Sequence, residues 1–462
     1  MKLAYIIPAV AIAAVLLIPA CRVSKPYTQP PVQTDGLYRD VVTKDTTTIA
    51  DIPWKRMFKN RNLQTLLQQG ISNNYDLQIA VARIKQAEAN LRQTRAAFFP
   101  TISGGPQVTQ QKFPTSKGLV SFGTDRVYGL SVNASWEIDL WGKLKSANRG
   151  AIALLLQSEA SRRTVQTQLV SDIASNYFNL LAYDKQLAIT IETVENRRND
   201  VETNKALKDA NRITEAAVAQ SEANRYAAEV TIPDLQNNIR QTENSISILL
   251  GKQPGSILRD SISDQQVDTM LQTGVPAQLL ANRPDVQEAE YGVRYYFQQM
   301  NVARAYFYPS LTITAQGGWQ GVTVSTLFNS TGMLGSVVGG LTQPIFNKGI
   351  NKQRLQVAKA QYEENVAYFQ QTVLYAGQEV SDALYSYQAV ANKTITRDQQ
   401  LGAWKRAVDY NRELLKNGYA TYTDVLTSEQ GYLSAQLNSI TDRLQSLTAI
   451  VSLYRGLGGG WK

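Results

Sequence analysis

Two kinds of hydrophobic periodicity run along this chain of 462 residues, and the first predicts β-strands. Apolar and polar residues alternate from Tyr128 to Leu140, and again from Leu311 to Gln320. Alternation with a period of two is typical of a strand with one apolar and one polar face. Because Gly-rich stretches flank both segments, we predict four strands, at about 101–113, 126–140, 310–323 and 333–346, with hairpin loops at 114–125 and 325–332.

The second periodicity has a repeat of seven residues and predicts long helices. The apolar positions of two such series are Leu355, Tyr362, Phe369, Ala376, Ala383 and Val390, and Ile173, Leu180, Leu187, Val194 and Val201. Sustained heptads indicate coiled-coil packing. A helix over about 145–205 would be ~90 Å long at 1.5 Å per residue, which is too long for a compact domain. Pro233 lies inside another helical stretch and predicts a kink there.

The chain also carries the same plan twice. The segment AAFFPTISGG (96–105) returns as AYFYPSLTITAQGG (305–318), an offset of 209 residues. Val218 and Leu426, in a second pair of matching segments, are 208 residues apart. A nearly constant offset over the whole length indicates a tandem duplication. We expect each half to contain one helix, two strands and then two long helices, with the first helices at about 73–98 and 284–307.

The first residues are typical of an export signal. Lys2 supplies the positive start, and residues 3–19 form an uncharged apolar run. This run is shorter than the ~20 residues needed to span a bilayer as a helix. It ends in Ile-Pro-Ala-Cys, which predicts a signal peptide over 1–20 and lipid attachment at Cys21, where several acyl chains would give stable anchoring. The alternative is an ordinary secretory signal followed by a free thiol.

The composition excludes several classes of function. The chain has no His and one Cys, which removes the usual general base and the common imidazole and thiolate metal ligands. We therefore predict no metal site and no cofactor. The sequence contains no Gly-x-Ser-x-Gly motif and no Gly-rich phosphate loop, so it does not predict an enzyme. The net charge of +9 is spread thinly, without a run of five Lys or Arg, and we predict no nucleic-acid partner.

Four amphipathic strands in one chain are too few for a closed barrel, although each exceeds the ~9–11 residues needed to cross a bilayer. Open edges are not tolerated in lipid, so closure has to come from several chains. Two chains would give eight strands and a filled interior, whereas three would give twelve and leave a channel. The residues expected to face lipid are Tyr128, Leu130, Val132, Trp136, Leu311 and Ile313. The alternative is a soluble protein whose strands form a sandwich.

Five segments carry a family resemblance. They are WKRMFKNRNLQTLLQQGISNNYDLQIAVARIKQAEANL (54–91), SWEIDLWGKLK (135–145), ILLGKQPG (248–255), LANRPDVQEAE (280–290) followed by ARAYFYPSLTITAQGG (303–318), and PIFNKG (344–349). Together they resemble the outer-membrane efflux proteins of the TolC/OprM type, in the lipoprotein branch called NodT-like. The resemblance covers nearly the whole mature chain. It implies an α+β membrane protein, a homotrimer whose 12-stranded transmembrane β-barrel, with four strands per chain, continues as a long coiled-coil α-helical barrel in the periplasm.

The same resemblance implies a division of the chain into segments. An N-terminal segment that carries the lipid and joins an equatorial belt would cover 21–72, and the first structural repeat would cover 73–255. A linker over 256–283 would complete the belt, and the second repeat would cover 284–462.

The resemblance also assigns functional positions at the turns between paired long helices, where the family shows Gly-x-Ala-Ser/Thr-x-x-Asp-Val. The second turn conforms, whereas the first has Ala217 in place of the acid. The residues implied to contact a periplasmic adaptor are Asn211, Ile213, Thr214, Gly418, Ala420 and Thr421. The implied gate residues are Tyr422, Thr423, Asp424 and Thr427. Three copies of Asp424 would form an anionic ring, and the alternative role of Asp424 is that of an acid favoured at a helix N-terminus.

The function implied by the resemblance is that of an exit duct in a tripartite efflux system, lipid-anchored in the outer membrane of a Gram-negative bacterium. Its partners would be outer-membrane lipid, a periplasmic adaptor (membrane fusion) protein and an inner-membrane pump of the RND type. The alternatives are a type I duct for secreted proteins and a non-conducting lipoprotein scaffold. The sequence does not specify whether the substrate is a drug, a metal ion, a dye or a polypeptide.

Overall fold

The computed structural model describes residues 23–34, 36–39, 45–111, 125–265, 273–274, 276–328 and 332–462. The predicted signal peptide and the predicted lipid attachment site, Cys21, lie outside the described residues. So do most of the predicted loop at 114–125 and part of the predicted linker at 256–283.

The described elements follow the predicted order of helix, two strands and long helices, twice over. The helices are α1 (Arg61–Asn73), α2 (Tyr75–Ala96), α3 (Lys143–Asp209), α4 (Glu215–Glu229), α5 (Thr231–Leu249), α6 (Pro284–Ala305), α7 (Ile350–Lys416) and α8 (Tyr422–Gly456). The strands are β1 (Thr101–Gln111), β2 (Asp125–Ile138), β3 (Ser310–Gly321) and β4 (Met333–Thr342). Short helical turns occur at Ile49–Asp51, Trp54–Met57, Ile262–Asp264, Pro276–Gln278, Leu279–Asn282 and Val324–Thr326.

The four strands form one antiparallel sheet in the order β1-β2-β3-β4. All four predicted strands are confirmed, but β2, β3 and β4 end earlier than predicted. After β2, both carboxylate oxygens of Asp139 accept bonds from the backbone N–H groups of Leu144 and Lys145, at 3.1 and 2.8 Å, so that Asp139 caps α3 instead of extending the strand. After β4, Pro344 has no N–H to donate to a ladder.

The long helices confirm the length expected from the heptads. Helices α3 and α7 each contain 67 residues, which corresponds to about 100 Å at 1.5 Å per residue. In the first half the next helical stretch is broken at Val230, between α4 and α5. The break lies three residues before the predicted kink position, because Pro233 lacks an N–H and its ring crowds the carbonyl of Glu229. In the second half α8 runs unbroken over 35 residues.

The chain divides into two compact units, each of which takes segments from both repeats. The sheet unit consists of residues up to Pro30, Ile84–Ser158 and Ala289–Phe369, and the helical unit of Pro31–Arg83, Glu159–Glu288 and Gln370–Lys462. A core cluster of the sheet unit comprises Phe297, Met300, Ala303 and Ala358, with Tyr27, Leu355 and Tyr362 packed against it. Large buried side chains of the helical unit are Phe58, Tyr177, Phe178 and Tyr454.

Candidate functional site: a two-faced sheet and paired helix turns

The register of the sheet places most apolar side chains of the four strands on one side and most polar side chains on the other. Residues directly opposite each other in neighbouring strands project to the same side, and successive residues alternate sides. The side that we call the apolar face carries Ile102, Gly104, Pro106, Val108, Tyr128, Leu130, Val132, Ala134, Trp136, Ile138, Leu311, Ile313, Ala315, Gly317, Trp319, Gly321, Met333, Gly335, Val337, Gly339 and Leu341, and at one end the polar pair Gln110 and Arg126.

The opposite side, which we call the polar face, is mostly hydroxyl and amide. It carries Thr101, Ser103, Gly105, Gln107, Thr109, Val127, Gly129, Ser131, Asn133, Ser135, Glu137, Ser310, Thr312, Thr314, Gln316, Gly318, Gln320, Leu334, Ser336, Val338, Gly340 and Thr342. A sheet with this division can separate an apolar medium from water.

All six residues predicted to face lipid lie on the apolar face. The sequence missed the members of this face in β1 and β4, because glycines interrupt the alternation there. Several of these are strongly exposed: Ile102 to 69%, Leu341 to 64% and Val337 to 76%. Only the pairing register of the strands assigns these residues to the apolar face, because Ile102 and Val337 lie in the same row of the sheet as Ala134 and Ala315.

Aromatic side chains lie at both ends of the apolar face. At one end Trp136 donates its indole N–H to the carbonyl of Phe98 at 2.8 Å, and Trp141 donates to the carbonyl of Pro309 at 2.6 Å. At the other end the ring of Trp319 lies 6.0 Å from that of Phe328. Trp136 and Trp319 are six rows apart in the register, or roughly 20 Å along the strands. Aromatic girdles at both borders of an apolar band are typical of strands in a membrane.

Within the described residues, the two outer strands each have a partner on one side only. β1 pairs with β2, and β4 pairs with β3. Pro106, which cannot donate to a ladder, lies in the outer strand β1, where a proline is tolerated. The sheet is therefore open at both edges in the described part of a single chain. No helix among the described residues is long and apolar enough to cross a membrane.

The two helix turns predicted to be functional share one backbone conformation. Asn211 and Gly418 both adopt positive φ, of 57° and 77°. After α3, Arg212 N donates to Leu207 O and Asn211 N to Lys208 O. After α7, Tyr419 N donates to Leu414 O and Gly418 N to Leu415 O. Each helix thus ends in the same Schellman arrangement, in which these two bonds satisfy its last carbonyls.

The caps of the following helices differ between the two turns. Thr214 and Thr421 both accept the N–H three residues on, at 3.4 and 3.3 Å. Asp424 returns the bond by accepting from Thr421 N at 2.8 Å and from Thr421 Oγ1 at 2.6 Å, whereas Ala217 has no group to do so. These bonds hold the pKa of the Asp424 carboxyl below its ordinary value. Asp424 therefore has the capping role that was the alternative to a gate, and it remains exposed.

Of the other predicted gate residues, Thr427 donates its hydroxyl to the carbonyl of Thr423 at 2.8 Å. Tyr422 is half-buried, and burial, together with the negative charges of Asp200 and Glu429, raises the pKa of its phenol to about 12.

The surroundings of Tyr422 were not predicted. The polar cluster around it consists of Arg197, Asp200, Asn204, Arg412, Tyr422 and Glu429. Its members lie on three helices, of which α3 is far from α7 and α8 in sequence, and no motif connects them. They come together only because of the way in which the three helices are rotated about their axes relative to one another.

Comparison with known proteins identifies the family. The sequence pattern of the family described as outer membrane efflux protein matches residues 66–252 and 275–459. The chain belongs to this family. A relative named toluene efflux pump outer membrane protein TtgC, from Pseudomonas putida, is 30% identical over 422 residues, which cover 89% of this chain and 86% of TtgC. The cation efflux system protein CusC of Escherichia coli is 29% identical over 416 residues, covering 88% of each chain.

A solved structure of the outer-membrane channel OprN has the same fold. It superposes with a TM-score of 0.88 at 24% identity and covers 96% of this chain and 100% of OprN. The division of the family match into two parts agrees with the tandem repeat. This member of the outer membrane efflux protein family is a channel component of efflux pumps and not an enzyme.

Proposed function

We propose that this efflux-family chain is the lipid-anchored exit duct of a tripartite system, in the NodT-like lipoprotein branch, and that three copies close one 12-stranded barrel. The observation that carries the proposal is the open sheet with one apolar and one polar face. In lipid, the unpaired edges of β1 and β4 need partners, which other copies of the same edges supply. Three copies leave a lumen lined by the polar face, whereas two leave a filled interior.

The N-terminal strap, residues 23–30, supports lipid attachment at Cys21. Asn301, which is fully buried, accepts from Lys25 N at 3.2 Å and donates to Lys25 O at 3.0 Å. The ring of Tyr27 packs edge-on against Phe297 at 5.6 Å. Ser24 lies beside Gly142, at the end of β2. A lipid attached a few residues before this strap would reach the membrane at the border of the apolar face.

The paired turns fit the role of contacts for a periplasmic adaptor. Asn211, Ile213 and Thr214 in the first turn, and Gly418, Ala420 and Thr421 in the second, present the same backbone twice. Asp424 follows the second turn directly and is exposed, so three copies around an axis would form an acidic gate beside Thr423 and Thr427. The adaptor would connect this duct to an inner-membrane pump of the RND type.

The pump, and not this chain, would select the substrate. The names of the relatives refer to toluene in one case and to cations in another, although both relatives match this chain over most of their length. A polar lumen built from Ser, Thr, Asn and Gln is suited to solutes of several classes.

The first experiment tests the two faces. Val132→Lys places a charge on the apolar face and is expected to cost about 2–4 kcal/mol near the middle of a bilayer. Asn133→Lys, one residue along β2 on the polar face, is the matched control and is expected to insert normally. The measurement is the amount of folded, heat-modifiable protein in outer-membrane fractions. Equal loss from both variants would contradict the assignment of the faces.

The second experiment tests closure and conduction. Electron microscopy of the detergent-solubilised full chain is expected to show a hollow particle with three-fold symmetry, and planar bilayers are expected to show ion conduction. Asp424→Ala is expected to raise conductance and reduce cation selectivity, whereas Glu215→Ala, which removes one acid beside the first turn, is not. Compact single-chain particles without conduction would reject the duct, and an unchanged Asp424→Ala channel would reject only the gate.

A further inference from the structure

A pair of aromatic rings closes the junction between the two repeats within one chain. Trp141 follows β2, and Tyr308 precedes β3, the strand with which β2 pairs. The centroids of the two rings lie 5.1 Å apart, and the Trp141 indole N–H donates to the carbonyl of Pro309 at 2.6 Å. We call this arrangement the inner seam. It joins the end of the first hairpin to the start of the second.

The tandem repeat carries the same two rings again, beside the outer strands β4 and β1. Phe346 corresponds to Trp141, because both follow the second strand of a hairpin in matching segments, Ile-Phe-Asn-Lys and Leu-Trp-Gly-Lys. Phe99 corresponds to Tyr308, because both stand directly before the proline that precedes the first strand of a hairpin. The two rings of the inner seam therefore have counterparts at the outer strands, although Phe346 lacks the indole N–H.

These counterparts are more exposed than the inner seam. Phe346 is exposed to 84% and Phe99 to 73%, whereas Tyr308 inside the seam is exposed to 39%. β1 and β4 lie at opposite edges of a four-stranded sheet, about 14 Å apart at the usual strand spacing. Exposed aromatic rings beside two unpaired edges are typical of a surface that another molecule covers.

Antiparallel pairing of β4 with β1 of another copy brings the two kinds of ring together. Each strand of the sheet runs antiparallel to the next, so the two outer strands run in opposite directions. The end of β4 then lies beside the start of the neighbour's β1, as the end of β2 lies beside the start of β3 within the chain. The junction between copies would thus continue the interface between the repeats around the barrel.

We propose that Phe346 packs against Phe99 of a neighbouring copy, in an outer seam that repeats the inner one, and this rests on the three-copy duct proposed above. The contact sets the register in which β4 pairs with the neighbour's β1. The partner is a second copy of this chain, because the inner seam is an interface between the chain's own repeats and supplies the template.

The proposed register keeps both faces of the sheet continuous across the outer seam. When Phe346 stands opposite Phe99 of the neighbouring copy, Val337 stands opposite Val108 of that copy. Both valines belong to the apolar face. A register shifted by one residue would set apolar positions against polar ones along the whole seam. The repeat and the division of the faces are independent observations, and they agree.

The same register gives the barrel an ordinary tilt. One row of the polar face crosses the four strands through Thr101, Ser135, Thr314 and Val338. The next member of this row is Gln107 of the neighbouring copy, a stagger of six residues relative to Thr101. Such a stagger over four strand spacings corresponds to a strand tilt of ~46°, close to the usual ~35–45°. A stagger of eight residues would give ~55°, and one of four would give ~35° but separate the two rings.

The first test traps the register by disulfide formation in outer membranes. Val337→Cys combined with Val108→Cys is expected to give covalent dimers and trimers on oxidation, because directly opposite side chains come within reach of a disulfide. Gly335→Cys and Gly339→Cys, each combined with Val108→Cys, are matched controls two residues to either side on the same face. No atom lies within 4 Å of a β-carbon built on either glycine. Both controls are expected to crosslink roughly fivefold less.

Single-cysteine variants control for the natural Cys21 and are expected to give no covalent oligomers. Stronger crosslinking of Gly335→Cys or Gly339→Cys than of Val337→Cys would overturn the register. Three-fold particles that crosslink through none of these pairs would overturn the outer seam and leave the duct. Compact single-chain particles would remove the duct itself.

The second test restores the missing indole. Phe346→Trp supplies an N–H for the carbonyl of Pro100 of the neighbouring copy, as Trp141 does for Pro309. The temperature at which SDS-resistant oligomers dissociate is expected to rise in this variant. Phe346→Ala is expected to lower that temperature by roughly 5 °C, because it removes the aromatic contact from every seam.

Ile345→Ala is the matched control for the loss of an exposed apolar side chain. Its counterpart beside the inner seam, Leu140, remains 51% exposed, so the control is expected to dissociate at the wild-type temperature. Equal temperatures for the two alanine variants would place Phe346 against lipid in the aromatic girdle and overturn the outer seam. A lower temperature for Phe346→Trp would also overturn it, whereas three-fold particles would leave the duct proposal standing.

Discussion

The turn after α3 and the turn after α7 have the same backbone but different side chains. Both use a left-handed residue, the same two Schellman bonds and a Thr cap. The second turn has Gly418 where the first has Asn211, and Asp424 where the first has Ala217. The first turn forms without the acid. The geometry of the turn therefore depends on the left-handed residue and the Thr, and Asp424 is free to serve a further role.

Substitutions at the two left-handed positions should have the largest effect on the stability of the turns. A Val at position 418 would occupy φ near 77°, where a β-carbon costs about 1–2 kcal/mol. No atom lies within 4 Å of a β-carbon built on Gly418, so the cost is one of backbone strain alone. We expect Gly418→Val to reduce the protection of peptides spanning the second turn in hydrogen exchange, and Gly418→Asn to do so much less. Asn211→Gly should change the first turn little. Equal effects of Val and Asn at 418 would contradict this account.

Removal of the caps should show the next largest effect. Thr214→Val deletes one side-chain bond to a helix N-terminus, at a cost of about 1 kcal/mol. Thr421→Val deletes the corresponding bond and also the hydroxyl that donates to Asp424. We therefore expect the second turn to lose more hydrogen-exchange protection than the first. The comparison fails if the two variants lose equal protection.

The two turns should also differ in their response to acid. The pKa of Asp424 is lowered because the ionised carboxyl accepts bonds from Thr421. A carboxyl with a depressed pKa stabilises the folded state above its ordinary pKa, and this contribution disappears as the pH falls through the depressed value. Below about pH 4 we expect the second turn to lose protection, after correction for intrinsic exchange rates, and the first turn to be unaffected. Asp424→Asn should remove the difference in acid response between the two turns. An equal loss of hydrogen-exchange protection in acid at both turns would contradict the prediction.

The smallest effect is expected from restoring the missing acid. Ala217→Asp supplies the first turn with a carboxylate in the position of Asp424, where Thr214 N and the helix dipole favour it. The gain should be about 0.5 kcal/mol, seen as slower exchange in peptides that span Thr214. Ala217→Asn, which lacks the charge, is the control. If protection does not rise, the reciprocal bond contributes nothing to the stability of the turn.

The sequence predicted those parts of the fold whose cause is local. Alternation in β2 and β3 predicted their apolar faces, and the heptads predicted the long helices α3 and α7. The faces of β1 and β4 were not predicted, because a glycine carries no polarity and the pairing register supplies the missing information. Pro233 predicted a helix break, which occurs at Val230.

The site was predicted less completely than the fold. Tyr422, Thr423, Asp424 and Thr427 were named from a motif, and the structure adds the capping bonds of Asp424. The contacts of the polar cluster around Tyr422 join residues of α3 and α8 that lie more than two hundred positions apart. Such a contact depends on how long helices are rotated against one another, and a shift of one residue in heptad phase would remove it.

The open edges of β1 and β4 have a consequence for the life of a newly exported chain. Before assembly, each copy has two unpaired strand edges and an exposed apolar face. Its stability in the periplasm is therefore expected to depend on chaperones and on the concentration of other copies. In the proposed trimer, a copy with one damaged edge would still pair through its intact edge and prevent the barrel from closing. Such an allele is expected to be dominant negative, because it would inactivate assemblies that also contain wild-type copies.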